Sequence, residues 1–511
     1  PLTEDILGAA TKWLGSNFDS RWGGFGLAPK FPQPMLLEFL LGEHLAGDPD
    51  ALTMVTTTLD RMAAGGIHDQ LGGGFHRYST DERWLVPHFE KMLYDNAQLA
   101  RVYLHAFQVT GRDRYREVTV STLEYLLGEM RHPAGGFFSS QDADSEGEEG
   151  RFFVWSQADI LAAAQAHGTA VAAYFGTEPQ GNWDGTNVLW TPNELAVVAA
   201  SHSVSLDELK RSVERTRSAL IQTRSARVRP STDDKVLAGW NGLVIIALAE
   251  AGRCLGNSDY ISAATKACHF VLDQMRDESG KLARSWREGD RGGPAYLDDY
   301  ALMASACLTL YQTNFEPVWL KAAGQLGHAI LDHFADPRGG FFQTADDAEV
   351  LLLRPKELFD NAVPAGNSVA ADVLLRLGRL CEDAKFERAG VSALRVVRDL
   401  MLKVPPAFGY ALAALSFYVR PTREIAIIGD PDAAATRQML RQIQIRYLPQ
   451  MVVAAAPASD PESTALVPLL NGREKVDGMS TVFLCERYVC KLPITTPQDL
   501  SLALGPSPMP D

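Results

Sequence analysis

The sequence predicts an all-α protein built as a ring of helical hairpins, an (α/α)6-type toroid, with a small α/β unit at its C-terminal end. Three observations predict it. An aromatic-glycine turn follows a helical stretch five times: Trp22-Gly23-Gly24-Phe25, Gly72-Gly73-Gly74-Phe75, Gly135-Gly136-Phe137, a weaker Gly280-Lys281-Leu282, and Gly339-Gly340-Phe341. Each turn lies between an amphipathic segment and one that is apolar nearly all round, the alternation expected of a ring with an outer and an inner layer. After Pro421 the helical period gives way to alternating strand and helix periods, which fits a small α/β unit packed on the ring.

The outer helices are expected at 3–17, 50–64, 113–131, 207–224, 259–276, 316–335 and 385–402, where charge mixes with an apolar stripe. The inner helices are expected at 34–46, 88–108, a weak 157–175, 235–252, 298–312, 367–382 and 406–418. Six alternations are clear and a seventh is ambiguous, with the turns gathered at the two rims of antiparallel neighbours. Two aromatic runs, 136–139 and 151–155, bracket an acidic loop and read as a hairpin laid over one rim. Strands are expected at 424–429, 451–453 and 481–485, with helices at 432–446 and 497–504, so the chain divides into 1–420 and 421–511.

With 511 residues, 46% hydrophobic and 22% charged, there is ample material for one large core and an appendage. The net charge of −15 repels phosphate backbones and anionic membranes, which argues against nucleic acid and favours a neutral or cationic small ligand. The longest clean apolar run, Leu243 to Ala249, is far short of the roughly 18 residues of a membrane span. A cytoplasmic protein is the expectation, and the helix-like start Pro1-Leu2-Thr3-Glu4 suggests that a segment upstream is missing. Six scattered cysteines have neither disulfide-framework nor zinc spacing and are expected to be buried reduced thiols. Cys485 and Cys490 lack the spacing of a thioredoxin-type pair.

The densest polar cluster runs from Gly65 to Asn96 and contains His68, Asp69, His76, Arg77, Tyr78, Trp84, His88, Glu90, Lys91, Tyr94, Asp95 and Asn96. His88, Lys91 and Asp95 would share one helix face at i, i+3 and i+7, while Asn96 falls on the apolar face. A buried asparagine needs partners or costs about 1 to 3 kcal/mol. At the mouth of a ring, desolvation and neighbouring charges shift a histidine or carboxyl toward proton transfer near neutrality. His88 and Asp95 are therefore candidate acids or bases, beside a plain reading as a cap and a surface pair. The loop 141–150, with Gln141, Asp142 and Asp144, partly mimics a calcium loop but has Phe153 where the bidentate glutamate belongs, so no metal is expected. Asp142 and Asp144 could instead reach over the mouth.

Asp233-Asp234-Lys235 opens one inner helix, which continues through Trp240 and Asn241. Asp298-Asp299-Tyr300 opens the next, and Asn367, behind Asn361, opens the one after. Capping alone could account for the acids, yet three such helix starts converge on one rim, as a substrate site requires. Asp234 and Asp299 join the candidate catalytic groups. Trp84, Tyr94, Trp240 and Tyr300 are candidate stacking rings. His76, Arg77, Tyr78, Glu90, Asn96, Gln141, Asn241, Asn361 and Asn367 are candidate substrate contacts. No nucleophile elbow, P-loop, dinucleotide fingerprint or zincin motif is present in the sequence, and no cofactor is expected.

The stretches 24–32, 69–96, 141–150, 233–241 and 361–368, above all HFEKMLYDNA and QDADSEGEEG, resemble the spermatogenesis-associated protein 20 family over essentially the whole chain. The resemblance implies an N-terminal thioredoxin-like domain, absent here with its cysteine pair, joined to a six-hairpin glycosidase-like toroid similar to sugar 2-epimerases. It thus implies a carbohydrate-type fold without fixing an activity, and the first functional reading is a sugar epimerase or isomerase, or a glycoside hydrolase using two carboxylates. The paired-histidine chemistry of the epimerases would fall to His88 and His76. The alternative is a non-catalytic ligand- or protein-binding scaffold normally coupled to the thioredoxin-like domain, since a fold does not fix a function. The oligomeric state is not legible in the sequence.

Overall fold

A computed structural model describes residues 1–348, 353–458, 460–486 and 489–509, without the side chain of Cys490. Twelve helices form the ring. The outer layer is α1 (Glu4–Ser16), α3 (Pro49–Ala64), α5 (Asp113–Glu129), α11 (Ser258–Gln274), α13 (Pro317–His333) and α15 (Ala384–Lys403). The inner layer is α2 (Pro34–Leu45), α4 (Leu93–Thr110), α10 (Ala238–Leu255), α12 (Leu297–Asn314), α14 (Gly366–Cys381) and α16 (Gly409–Val419). Each inner helix packs on the next, and α16 packs back on α2, so the ring closes with six hairpins. The inner helices α4, α10 and α12 are buried on most faces, while α15 buries one stripe, Phe386, Gly390, Val391, Ala393, Leu394, Val397 and Met401.

The seventh alternation is not part of the ring. Residues 157–175 form two short helices, α6 (Gln157–Ala164) and α7 (Gly168–Tyr174). With α8 (Leu195–Ser201) and α9 (Leu206–Ser225) they close a separate small core around Trp155, Ile160, Val171, Phe175 and Leu209. The expected hairpin over the rim also differs. The two aromatic runs do not pair with each other; Ser140–Gln141 pairs with Lys91–Met92 on one side and Thr232–Asp233 on the other, and Asp144–Ser145 turns back onto Glu148–Glu149. This pairing is why 88–92 is extended and α4 begins at Leu93.

The five turns share one construction. A residue just past each outer helix bridges to the aromatic or leucine of the turn: Phe18 to Phe25, His68 to Phe75, Arg131 to Phe137, Arg276 to Leu282 and Ala335 to Phe341. Asp19, Asp69, Asp277 and Asp336 each accept backbone N–H bonds inside their turn, and His132 does so through Nδ1 in the third. A lysine then locks three of them. Lys30 reaches Asp19 and the Gly23 carbonyl, Lys91 reaches Asp69 and the Gly73 carbonyl at 2.9 Å each, and Lys356 reaches Asp336 and the Gly339 carbonyl. Glycine is required where the chain comes closest: Gly74 has φ +75, and a Cβ there would meet Tyr125 at 2.5 Å.

The following inner helix clamps the same turn. Asn96 accepts from the Phe75 N–H at 2.6 Å and donates to the Phe75 carbonyl at 3.0 Å. Asn241 does the same to Phe137 at 2.8 and 3.0 Å, and Asn367 to Phe341 at 2.8 and 2.9 Å. In the fourth, weaker turn the Tyr300 hydroxyl takes the Leu282 N–H at 3.0 Å. These bonds satisfy the buried amides that the sequence left to be explained.

At the opposite rim, Arg423–Ile428 lies between a parallel Met451–Ala456 and an antiparallel Thr481–Glu486, with Val489–Cys490 at the edge. Two helices, Ala434–Gln444 and Pro497–Leu504, pack on each other beside this sheet. Arg441 donates to the Cys254 carbonyl and Gln108 to that of Gln444, which seats the sheet unit on the C-terminal ends of α10 and α4. Cys254, Cys268, Cys307 and Cys381 are free thiols, whereas Cys485, opposite Cys490 in the strand register, is disulfide-bonded. That corrects the expectation of six reduced cysteines. Among the described residues no helix is long and apolar enough to cross a membrane.

Candidate functional site

The N-terminal ends of α4, α10, α12 and α14 border a cleft of about 400 Å³. Its walls include Arg77, Tyr94, Trp240, Asp298, Glu357 and Asn361, with Gln343 beside them. Tyr94 and Trp240 meet edge to face with centroids 4.7 Å apart, because each lies in the first turn of adjacent inner helices. Asp298 is held by Arg284 at 3.1 Å and accepts from the Gln343 amide at 3.3 Å. Asp299 beside it is 1% exposed and accepts from the Tyr296 and Gly239 N–H groups and from Arg284 at 2.7 Å. Burial, then the charge of Asp298, pushes Asp299 up to about 7 against the pull of Arg284. The rim thus carries a carboxyl pair that shares one guanidinium, one member of which titrates in the neutral range.

Arg77 forms an ion pair with Glu90 at 3.0 Å. Beneath them Asp95 is buried, and its Oδ2 has no partner among the described residues. Burial raises Asp95 well above the usual carboxylate range, Glu90 adds to the rise, and Arg77 opposes it. A carboxyl whose folded value is raised destabilises the protein once the pH passes its unfolded value. Asp95→Asn should therefore stabilise the fold at pH 7.5, by about 1 to 3 kcal/mol, read as a rise in melting temperature. A fall would show that Asp95 makes a stabilising contact as the anion.

The other predicted groups separate. His88 is outside the cleft, bonded through Nδ1 to Glu149 at 2.7 Å, with its ring tilted against that of Tyr78. His76 is 2% exposed, with Nδ1 at 2.8 Å from the Phe89 carbonyl, and burial followed by the charge of Lys91 pushes it down to about 3. Trp84 is buried and donates to the Trp22 carbonyl. Asp142 accepts from Ser231 at 3.0 Å, Asp144 is exposed, and Gln141 is buried beside Tyr125. Asp234 pairs with Arg287 at 2.7 Å. Asn96, Asn241, Asn367 and Tyr300 are turn clamps. The cleft adds Asp298, Gln343 and Glu357, which sequence reasoning passed over. Asp298 was visible in the Asp298-Asp299 pair, but the cap reading gave no ground for preferring it to its neighbour.

No family model matches the chain. It is 34% identical to human spermatogenesis-associated protein 20 over 550 residues, covering 99% of this chain and 70% of that protein, and 34% identical to the mouse protein of the same name over 531 residues, covering 95% and 67%. Among solved structures it is similar to the unsaturated glucuronyl hydrolase of Bacillus sp. GL1, with a TM-score of 0.47, 11% identity and coverage of 81% of this chain and 95% of that one. It is also similar to the cellobiose 2-epimerase of Spirochaeta thermophila, with a TM-score of 0.34, 14% identity and coverage of 78% and 96%.

Proposed function

The chain belongs to the spermatogenesis-associated protein 20 family, and within it we propose a carbohydrate-active ring whose rim cleft takes up a neutral saccharide. The observation that carries this reading is the lining itself: an aromatic pair for the apolar face of a sugar ring, with Asp298, Gln343, Glu357 and Arg77 for its hydroxyls. The reaction is carboxylate-driven proton transfer, as in sugar isomerisation or glycoside hydrolysis, with Asp298 as the acid or base and Asp299 beside it on the same Arg284. The paired-histidine route loses support because neither His76 nor His88 lines the cleft.

A thermal-shift and calorimetric survey of neutral mono- and disaccharides tests this. At least one saccharide should raise the melting temperature. Trp240→Ala should weaken its binding about tenfold, the equivalent of ~1.4 kcal/mol, and Asp298→Asn should abolish turnover while leaving the fold intact. If no saccharide shifts the wild-type protein, the ring is a scaffold.

A further inference from the structure

Below the rim cleft the ring encloses a second cavity, of about 180 Å³, on its axis. All six inner helices supply its walls, and Tyr447, Leu448 and Pro449 of the C-terminal sheet unit line it from the other end. Gln98 stands at the partition: it lines the axial cavity while its amide donates at 2.8 Å to the Ala362 carbonyl of the cleft wall.

Ionic side chains meet here inside an otherwise apolar ring. Arg101 is bidentate on Glu250 at 2.6 and 3.2 Å. His105 bridges Glu38 at 2.8 Å and Glu250 at 3.2 Å, and the Tyr447 hydroxyl donates to Glu38 at 3.0 Å. Arg376 grips Asp372 at 2.9 and 3.0 Å. Burial works against the charge on His105, but Glu38 and Glu250 outweigh it and hold the imidazole above its ordinary value. Arg446 also borders the cavity, with its guanidinium bonded to Gln442 and Ser501.

Arg101, His105 and Arg376 each meet a carboxylate at 3.2 Å or less, so Glu38, Glu250 and Asp372 are already engaged. A guanidinium in an enclosed, low-dielectric space is costly until an anion joins it closely. Arg253 is the loosest member, held by one 3.4 Å bond to the Gln312 carbonyl and a 3.7 Å approach to Glu250. Its fork is suited to a carboxylate. Ser305, Gln312 and Tyr410 add hydroxyl and amide groups to the same wall, and the volume equals roughly six waters' share of the liquid.

We propose that the axial cavity is a second ligand site, for a small hydroxylated carboxylic acid of the sugar-acid class, with Arg253 taking the carboxylate and the wall hydroxyls taking the polyol. This site stands apart from the saccharide reading of the rim cleft, and its success or failure does not depend on it.

Calorimetry on the full chain with D-glucuronate, with D-glucose as the neutral counterpart, tests the proposal. Glucuronate should bind with one site per chain and at least tenfold more tightly than glucose. Arg253→Gln should weaken it tenfold or more, whereas Trp240→Ala in the rim cleft should leave it unchanged. Equal affinity for the two sugars, binding that survives Arg253→Gln, or binding lost in Trp240→Ala would each overturn the proposal. Should Arg253→Gln fail to fold, Arg253→Lys keeps the charge without the bidentate fork and should still weaken glucuronate; wild-type affinity in that variant would also overturn it.

Discussion

Asp69→Ala should destabilise the protein by about 3 to 5 kcal/mol, the cost of leaving buried cations without their counter-ion. Asp69 is 7% exposed and holds three things at once. Its Oδ1 caps the second turn through the Leu71 and Gly72 N–H groups, its Oδ2 takes Lys91 at 2.9 Å, and both oxygens take Arg224 at 2.9 and 3.0 Å. The last bond ties α9 of the inserted core to the ring. The loss should appear as a lower denaturant midpoint and as earlier proteolysis of the inserted helices. Asp19→Ala removes the equivalent group of the first turn, whose side chain is 25% exposed, and should cost visibly less. Equal losses would mean that the second turn gains nothing from its burial or from Arg224.

Acidification from pH 6.5 should unfold the protein steeply. Burial pushes both His68 and His76 down to about 3, so each is neutral in the folded state and binds a proton only on unfolding. Below their unfolded value of about 6.5, each then removes about 1.4 kcal/mol of stability per pH unit until the folded value is reached, nearly 3 kcal/mol per unit for the two together. His105 acts with the opposite sign: its folded value is raised, so its contribution is complete below 6.5 and disappears as the pH rises through the folded value. Melting temperatures measured between pH 7 and 4.5 check this, and His76→Gln should flatten the slope. An unchanged slope in that variant would exclude His76 as a source of it.

The ring was legible because its signals are local. An aromatic-glycine turn is written in three or four consecutive residues, and the all-round apolarity of 238–255 needs no partner to be recognised. The inserted core was misread for the same reason: Leu209, Val213 and Leu220 on α9 make the stripe of an outer helix, and only tertiary packing reveals that they face Trp155 and Ile160. The rim cleft was half legible, since Tyr94 and Trp240 stand at inner-helix starts where the ring must bring them together. Asn96, Asn241 and Asn367 stand there too, but their carboxamides turn back onto the preceding turn, and residue type could not distinguish these fates. The axial charges were illegible. Arg101 and Glu250 are 149 positions apart, on two helices that read mostly as core, and nothing in either segment points to the other.

The substitution in the fourth turn gives the ring a preferred place to breathe. An asparagine clamp holds its turn with an acceptor and a donor, but Tyr300 offers Leu282 a single acceptor, and the Gly280-Lys281-Leu282 turn, like the third, has no lysine lock of the kind found in the first, second and fifth. Fluctuations that open the hoop should begin at that joint, between α11 and α12. Asp298 and Asp299 ride on the first turn of α12, so the turn with the fewest clamping bonds among the asparagine- or tyrosine-held ones is also next to the acid pair.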